Sequence, residues 1–470
     1  MNERTVAPTL VVIFGITGDL SRRKLLPALW QLFRAGALPE QFRIIGFARR
    51  TLDAQAVRAL VRDALGGGVE SADDVALAHF LDLFSYQQGR FDELAQYRAL
   101  GERLTETERA FGAPANRLFY LAVAPAHYEA LFEALEKSGL ARAEGARATR
   151  ILVEKPFGRD ARTAQALDDK LAALFGEEQI YRIDHYLAKE TVQNILNFRF
   201  SNFIFESLWS KEGIEKVHIE LLETIGIEGR GEFYGDTGAL RDVGQNHVLQ
   251  LLAMVAMQNP GQFDAAHIRA ARAAALRTLR PIEDLARQAV RGQYEGFVDE
   301  PGVAKGSQAE TYFKLRAFLD DDAWEGVPFI LESGKRLAER TTRITIYFKN
   351  AARALCSIDE GNGCQNTLTF EVQPEEGITV GFWAKKPGFS QELERRALHF
   401  SYARGAERRA PEAYERVLYD AIRGDQTLFA STEEVHASWR FITPILDAWH
   451  ALPLEPYAPG SRGPESRNSL

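Results

Sequence analysis

The sequence predicts an α/β fold of the Rossmann type, a doubly wound parallel sheet, followed by an α+β domain with a large, mainly antiparallel sheet and packed helices. Three observations lead there. Strand-like runs in the first part of the chain alternate with amphipathic helical runs. After about residue 200 the pattern changes to period-two strands spaced by Gly, Asn and Pro turns. A chain of 470 residues also exceeds one ordinary core, so two domains are expected. The expected boundaries are 1–186 for the first domain, 187–457 for the second, and 458–470 for a disordered tail rich in Pro, Gly, Ser and Arg.

The elements follow in order. Thr9–Phe14 is almost wholly apolar and β-branched, as a central parallel strand should be, and it breaks at Gly15. An amphipathic helix is expected over 22–35, ended by Gly36, and a second strand over Phe42–Ala48 stops at two arginines. Helical periodicity covers 54–65, 94–109, 127–138 and 161–174, with strands at 117–123 and 151–153. Beyond residue 200, strands are expected at 216–224, 343–349, 366–373 and 378–383, and helices at 239–257, 412–423 and 432–451.

Composition excludes several function classes. Hydrophobic residues at 46% and charged residues at 26% are globular values, and a net charge of −8 argues against nucleic acid as a partner. Leu10–Phe14 is too short an apolar run for a signal peptide or membrane span. The two cysteines, Cys356 and Cys364, form no CxxC or Cys/His cluster, so no metal site is expected and both read as reduced thiols. Together these features describe a soluble, cytoplasmic protein.

Gly15-Ile16-Thr17-Gly18-Asp19-Leu20 lies where a strand passes into a helix, the place where a dinucleotide pyrophosphate rests on backbone N–H groups. Thr17 and Leu20 stand where a GxGxxG pattern has its later glycines, so an ordinary strand-to-helix turn is the alternative. Arg22, Arg23 and Lys24 in the first turn oppose the helix dipole, a cost that bound phosphates would offset. At the end of the second strand, an NAD-specific fold carries Asp or Glu for the ribose 2′-hydroxyl. Arg49 and Arg50 occupy that point, and a guanidinium suits a 2′-phosphate, so the expected cofactor is NADP. Lys155, in Glu154-Lys155-Pro156 at a strand's carboxyl end, could serve coenzyme and substrate, and Pro156 is a candidate cis-proline.

The densest chemistry lies in Arg182-Ile183-Asp184-His185-Tyr186-Leu187-Ala188-Lys189-Glu190. If the chain is helical from Ala188 onward, His185 and Lys189 fall one turn apart; with Tyr186 they could hold a phosphate monoester. A solvated charged face at a domain junction is the ordinary alternative. In Arg241-Asp242-Val243-Gly244-Gln245-Asn246-His247 a helix starts in polar residues and runs into an apolar stretch. His247 reads either as a buried core histidine or as a base whose second nitrogen needs a carboxylate, for which Asp184 is the candidate. Glu223 and Asp242 are ordinary acids or acceptors for sugar hydroxyls. Lys335 emerges at a strand end in Ser333-Gly334-Lys335, with Arg340 five residues on.

Taken together, these segments resemble the glucose-6-phosphate dehydrogenase family from about residue 9 to 450, joined in order by Val303-Ala304-Lys305-Gly306-Ser307 and Lys385-Lys386-Pro387-Gly388. The resemblance implies oxidation of D-glucose 6-phosphate to 6-phospho-D-glucono-1,5-lactone with NADP⁺, the entry step of the pentose phosphate route. It implies His247 as the base with Asp184 as its partner, and His185, Tyr186 and Lys189 on the phosphate. Lys335 and Arg340 would complete the substrate site, with Glu223 and Asp242 on sugar hydroxyls. Thr17, Lys24, Arg49 and Lys155 would serve the coenzyme, and the assembly would be a homodimer or homotetramer. Ala188 replaces a usual glycine, Ala124-Pro125 a usual Pro-Pro pair, and Ser207 a usual proline. None of these departures removes a charged or proton-transferring group. Two rival readings are a dehydrogenase of another aldose phosphate and an NADP-binding regulatory pseudoenzyme.

Overall fold

The computed structural model describes residues 7–66, 74–142, 147–350, 364–402 and 409–470. The chain divides into two compact units, each described by itself. Unit 1 comprises 1–158, 162–188 and 411–432; unit 2 comprises 159–161, 189–410 and 433–470.

Unit 1 is built on six parallel strands: β1 (Thr9–Phe14), β2 (Phe42–Ala48), β3 (Phe84–Gln88), β4 (Asn116–Leu121), β5 (Thr149–Glu154) and β6 (Ile180–Ile183). The sheet order is β6-β5-β4-β1-β2-β3, with Phe429–Ala430 added antiparallel beyond β6. All six residues of β1 are buried, as strands covered on both faces require. Gly15 follows it at φ +86°, and a Cβ there would lie 2.4 Å from the Ala122 carbonyl oxygen beyond β4. Only glycine tolerates both the backbone and the approach.

The sequence expectation places 411–432 in the second domain, but the structure folds this segment into unit 1. The helix Ala413–Arg423 buries Val417, Leu418, Ala421 and Ile422 and packs beside the helix Leu26–Arg34, while Phe429–Ala430 pairs with β6. These partners are distant in sequence, so local periodicity carries no sign of them. Arg182 of β6 is 1% exposed and binds Asp168 at 2.7 Å, Glu177 at 3.0 Å and the Thr432 hydroxyl at 2.5 Å.

Unit 2 carries a nine-stranded sheet: β7 (Ile214–Leu222), β8 (Ala289–Tyr294), β9 (Tyr312–Ala317), β10 (Phe329–Gly334), β11 (Thr341–Phe348), β12 (Thr367–Gln373), β13 (Gly377–Lys385), β14 (Leu393–Ser401) and β15 (Leu454–Tyr457). Its order is β14-β13-β12-β11-β7-β10-β9-β8-β15. Neighbours run antiparallel except β7 with β10 and β8 with β15, which matches the mainly antiparallel expectation. Arg199, from the helix Glu190–Ser201, donates to the Met254 and Met257 carbonyls at 2.9 and 2.8 Å and so ties that helix to the helix Leu249–Ala256.

Cross-strand register places Arg343 opposite Glu220, Glu220 opposite Glu332, and Glu332 opposite Lys314. Burial alone would raise the Glu332 carboxyl. Hydrogen bonds from His218 and Tyr312 and the Lys314 ammonium instead hold it down at about 2.

The tail is not disordered as composition suggests. Lys314 and Arg316 donate to the Arg467 and Leu470 carbonyls at 2.8 and 3.0 Å, and Ala338 N–H donates to Ser461 O at 2.8 Å. Gly463 lies against the Tyr312 ring, where a Cβ would come within 2.9 Å. A polar segment is ordered here because β9 supplies its donors, an arrangement invisible to local composition. Cys364 is disulfide-bonded, contrary to the expected reduced thiol, and Cys356 lies outside the described residues.

Removing Arg182 would take from the buried Asp168 carboxylate the guanidinium that pairs with it. Arg182→Met is therefore expected to lower unfolding stability by about 3–5 kcal/mol, read from the urea midpoint of the purified protein. A midpoint like the parent's would show that the network contributes nothing net.

Candidate active site

In unit 1 the strand order reverses at β1, which has β2 on one side and β4 on the other. In such sheets the carboxyl ends at this reversal form the ligand crevice. Gly15-Ile16-Thr17-Gly18 turns there, with Gly18 N–H donating to Gly15 O at 2.9 Å and the Ser21 hydroxyl to the same oxygen at 3.0 Å. The following helix opens with a π-wound turn over Ser21–Leu25, in which Leu26 N–H reaches Ser21 O. Arg22, Arg23 and Lys24 are exposed on that turn, and Asp19 pairs with Arg23 at 2.8 Å in full solvent. The glycine cradle, the helix N-terminus and the exposed cations fit a dinucleotide's phosphates.

Arg49 and Arg50 are exposed at the carboxyl end of β2. At the end of β5, Lys155 precedes Pro156 through a cis peptide bond. Glu154 beside it accepts a hydrogen bond from Tyr120 at 2.5 Å and another from Tyr414. Burial pushes the Glu154 carboxyl up to about 7, only partly offset by those hydroxyls and the Lys155 charge. Nothing in the local sequence assigns Glu154 a role. Its tyrosines come from β4 and from residue 414, so spacing offered no signal.

The Asp184–Lys189 run is not helical. The helix begins at Glu190, and Lys189 stands before it with extended backbone (φ −74°, ψ 140°). The one-turn spacing of His185 and Lys189 is therefore corrected. The cause is local: Asp184 accepts Tyr186 N–H at 3.0 Å and Leu187 N–H donates to Asp184 O at 3.1 Å, closing a turn that competes with helix. Asp184 is 2% exposed, and the His185 ring stacks on Tyr414 with centroids 6.0 Å apart. Ala188 is buried.

In unit 2, His247 lies in a π-wound segment, Leu240–Val248, that continues into the apolar helix Leu249–Ala256. Such windings recur at functional sites. His247 is 3% exposed; its N–H donates to the Asn246 side-chain oxygen at 2.6 Å, and Asn246 Nδ2 donates to Asp242 O at 3.0 Å. Glu310 caps the segment through Leu240 N–H at 2.9 Å, and burial pushes its carboxyl up. Gly238 (φ +72°) makes room, since a Cβ would sit 2.5 Å from the Glu310 oxygen.

Two of the expected substrate residues meet: the buried Lys335 ammonium pairs with Glu223. It also lies 5.3 Å from the Tyr234 ring centroid. Burial and the charges of Asp242, Glu310 and Glu223 push the Tyr234 phenol far up, so it stays protonated. Tyr234 was missed because a single tyrosine in a Gly-rich stretch has no distinguishing pattern. Arg340 is exposed just before β11.

A parallel nucleotide-binding sheet, a phosphate-fitting turn, and a second unit that buries His247 and, separately, a Lys335–Glu223 pair define a nicotinamide-dinucleotide-dependent oxidoreductase. Residues 12–194 match the family model "Glucose-6-phosphate dehydrogenase, NAD binding domain", and residues 196–470 match "Glucose-6-phosphate dehydrogenase, C-terminal domain". The chain belongs to the glucose-6-phosphate dehydrogenase family. It is 41% identical to a glucose-6-phosphate 1-dehydrogenase of Aggregatibacter actinomycetemcomitans, over 98% of this chain and 95% of that one. The corresponding protein of Borreliella burgdorferi is 38% identical over 100% and 98%. A solved glucose-6-phosphate dehydrogenase in complex with its substrate glucose-6-phosphate superimposes with a TM-score of 0.92 at 34% identity, covering 99% of this chain and 97% of that one.

The raised Glu154 value has a definite sign. Between 4.5 and about 7 the folded state holds a proton that the unfolded state releases, so this group's contribution to stability is lost as pH rises through that window. Glu154→Gln is expected to gain thermal midpoint relative to the parent as pH goes from 4.5 to 7. Midpoints measured across that range that stay parallel would remove the buried carboxyl as the cause.

Proposed function

We propose that this protein is a glucose-6-phosphate 1-dehydrogenase, oxidising D-glucose 6-phosphate to 6-phospho-D-glucono-1,5-lactone with NADP⁺, the first step of the oxidative pentose phosphate pathway. One observation carries the reading: a buried histidine, His247, on a π-wound turn, in a chain 41% identical to an enzyme of that name.

In this reading His247 accepts the proton of the C1 hydroxyl, and Asp184 is the carboxylate that orients the imidazole and favours its charged form. The bound coenzyme supplies the nicotinamide carbon that takes the hydride from C1. His185, Tyr186 and Lys189 hold the sugar phosphate through two cations and a phenol. Lys335, already paired with Glu223, and Arg340 add positive charge, while Glu223 and Asp242 accept from sugar hydroxyls. Gly15, Thr17, Gly18, Asp19 and Leu20 form the pyrophosphate turn. Lys24 and Lys155 meet the coenzyme, Lys155 also the substrate, and Arg49 reads the 2′-phosphate.

The same reading includes a homodimer or homotetramer and a cytoplasmic location. Leu398 and Phe400, 65% and 53% exposed on the edge strand β14, suit an assembly through the large sheet. Among the described residues, no helix is long and apolar enough to cross a membrane.

The test follows reduced nicotinamide by absorbance after mixing the protein with glucose 6-phosphate and NADP⁺. A rise that disappears with unphosphorylated glucose is the expected result; binding of NADP⁺ without turnover would favour a regulatory pseudoenzyme. In the same assay His247→Asn should lower turnover by about two to four powers of ten, the usual worth of a general base. Arg49→Ala should weaken NADP⁺ far more than NAD⁺, which titration with each coenzyme would read. Equal loss of both would mean that Arg49 does not read the 2′-phosphate.

A further inference from the structure

The arginine pair beyond β2 is held by the side chains of its neighbouring edge strand. The β2–β3 ladder runs from Ile44 opposite Phe84 to Ala48 opposite Gln88, and Gly89 N–H closes it on Ala48 O at 3.0 Å. Past that point Arg49 and Arg50 have no ladder partner, yet each of their carbonyls is bound. The Tyr86 hydroxyl lies 2.8 Å from Ala48 O and 2.5 Å from Arg50 O, and Gln88 Nε2 donates to Arg49 O at 3.3 Å. The tyrosine's one proton is shared between two carbonyls, so the hydroxyl bridges the end of β2 to the turn. Tyr86 is itself anchored, because Arg103 of the helix Leu94–Phe111 donates to Tyr86 O at 2.7 Å. The far side of the turn is fixed by Asp53, which accepts Ala56 N–H at 2.7 Å as the cap of the helix Ala54–Leu65.

We propose that Tyr86 and Gln88 are positioning residues for coenzyme selectivity: they immobilise the 49–50 backbone so that the guanidinium groups meet a ribose 2′-phosphate with only their side-chain torsions left to order. The inference rests on the reading that Arg49 recognises that phosphate. Preorganised donors bind more tightly because less freedom is lost on binding. Both arginine side chains are exposed, so the clamp on their carbonyls fixes the backbone from which their charge is presented. The side-chain bonds of Tyr86 and Gln88 go to the end of β2 and to the turn that carries the arginines.

The test compares the full chain with Tyr86→Phe and Gln88→Leu, measuring by calorimetry the binding of NADP⁺, NAD⁺ and 2′,5′-ADP, and recording each variant's thermal midpoint. Tyr86→Phe keeps the ring and the backbone ladder and deletes one hydroxyl, so the midpoint should fall by no more than the loss of one partly exposed hydrogen bond. Freeing the 49–50 backbone should weaken NADP⁺ and 2′,5′-ADP by about three- to tenfold and leave NAD⁺ within about twofold. Gln88→Leu should follow the same direction with a smaller change. NADP⁺ and NAD⁺ weakened equally, or selectivity unchanged in both variants, would overturn the proposal. Arg49→Ala, measured alongside, separates the two levels. If it shifts selectivity while the clamp variants do not, only the positioning role falls; if it leaves selectivity unchanged, the phosphate reading falls and the positioning role with it.

Discussion

Unit 1 depends on a steric constraint at the end of β1. The strand order reverses there, so the chain must leave between β2 and β4 and turn at once into a helix. Gly15 makes that turn with positive φ and with the Ala122 carbonyl so close that no side chain fits. The rest of the nucleotide end follows from this corner. It brings the first turn of the helix to the sheet's carboxyl edge, where the exposed cations of Arg22, Arg23 and Lys24 are favoured by a bound anion. It also puts the end of β2, with Arg49 and Arg50, beside the same crevice.

A second theme is the deliberate burial of carboxylates with different electrostatic settings. Glu332 sits among His218, Tyr312 and Lys314 and stays ionised well into acid, whereas for Glu154 and Glu310 burial outweighs the charges of Lys155 and Arg241 and pushes them up. Residue type alone does not separate these cases; the count of donors and cations around each oxygen does. Glu310 shows a structural use of such a group, since its oxygen caps the segment that presents His247. A side chain too short to reach Leu240 N–H would leave that donor without this acceptor.

Helix windings supply the third. Both the coenzyme-end helix and the His247 helix carry π-wound turns, at Ser21–Leu25 and Leu240–Val248. Each extra residue rotates the following side chains relative to an α-helix, so the face presented differs from what a 3.6-residue period assigns. At His247 the local Asn246 side-chain oxygen accepts the backbone N–H.

Much of this was legible in the sequence. β1 and β2 were bounded to the residue, because buried parallel strands leave continuous apolar runs ended by Gly15 and by Arg49-Arg50. The glycine turn, the arginines in place of an acid and the helix with His247 depend on chemistry that local sequence carries. Other features needed the tertiary structure. Phe84–Gln88 is half polar and reads as a strand only beside β2. The order of the tail, the placement of 411–432 and the Tyr120–Glu154–Tyr414 cluster arise from partners far apart in the chain. The Asp184–Lys189 turn went the other way: its side-chain-to-backbone hydrogen bond overrode a helical pattern. Sequence by itself determined which groups are present and which local backbones can carry them. Tertiary structure decided which of those groups share a desolvated space, because hydrogen bonding and burial are set by neighbours that a linear pattern does not contain.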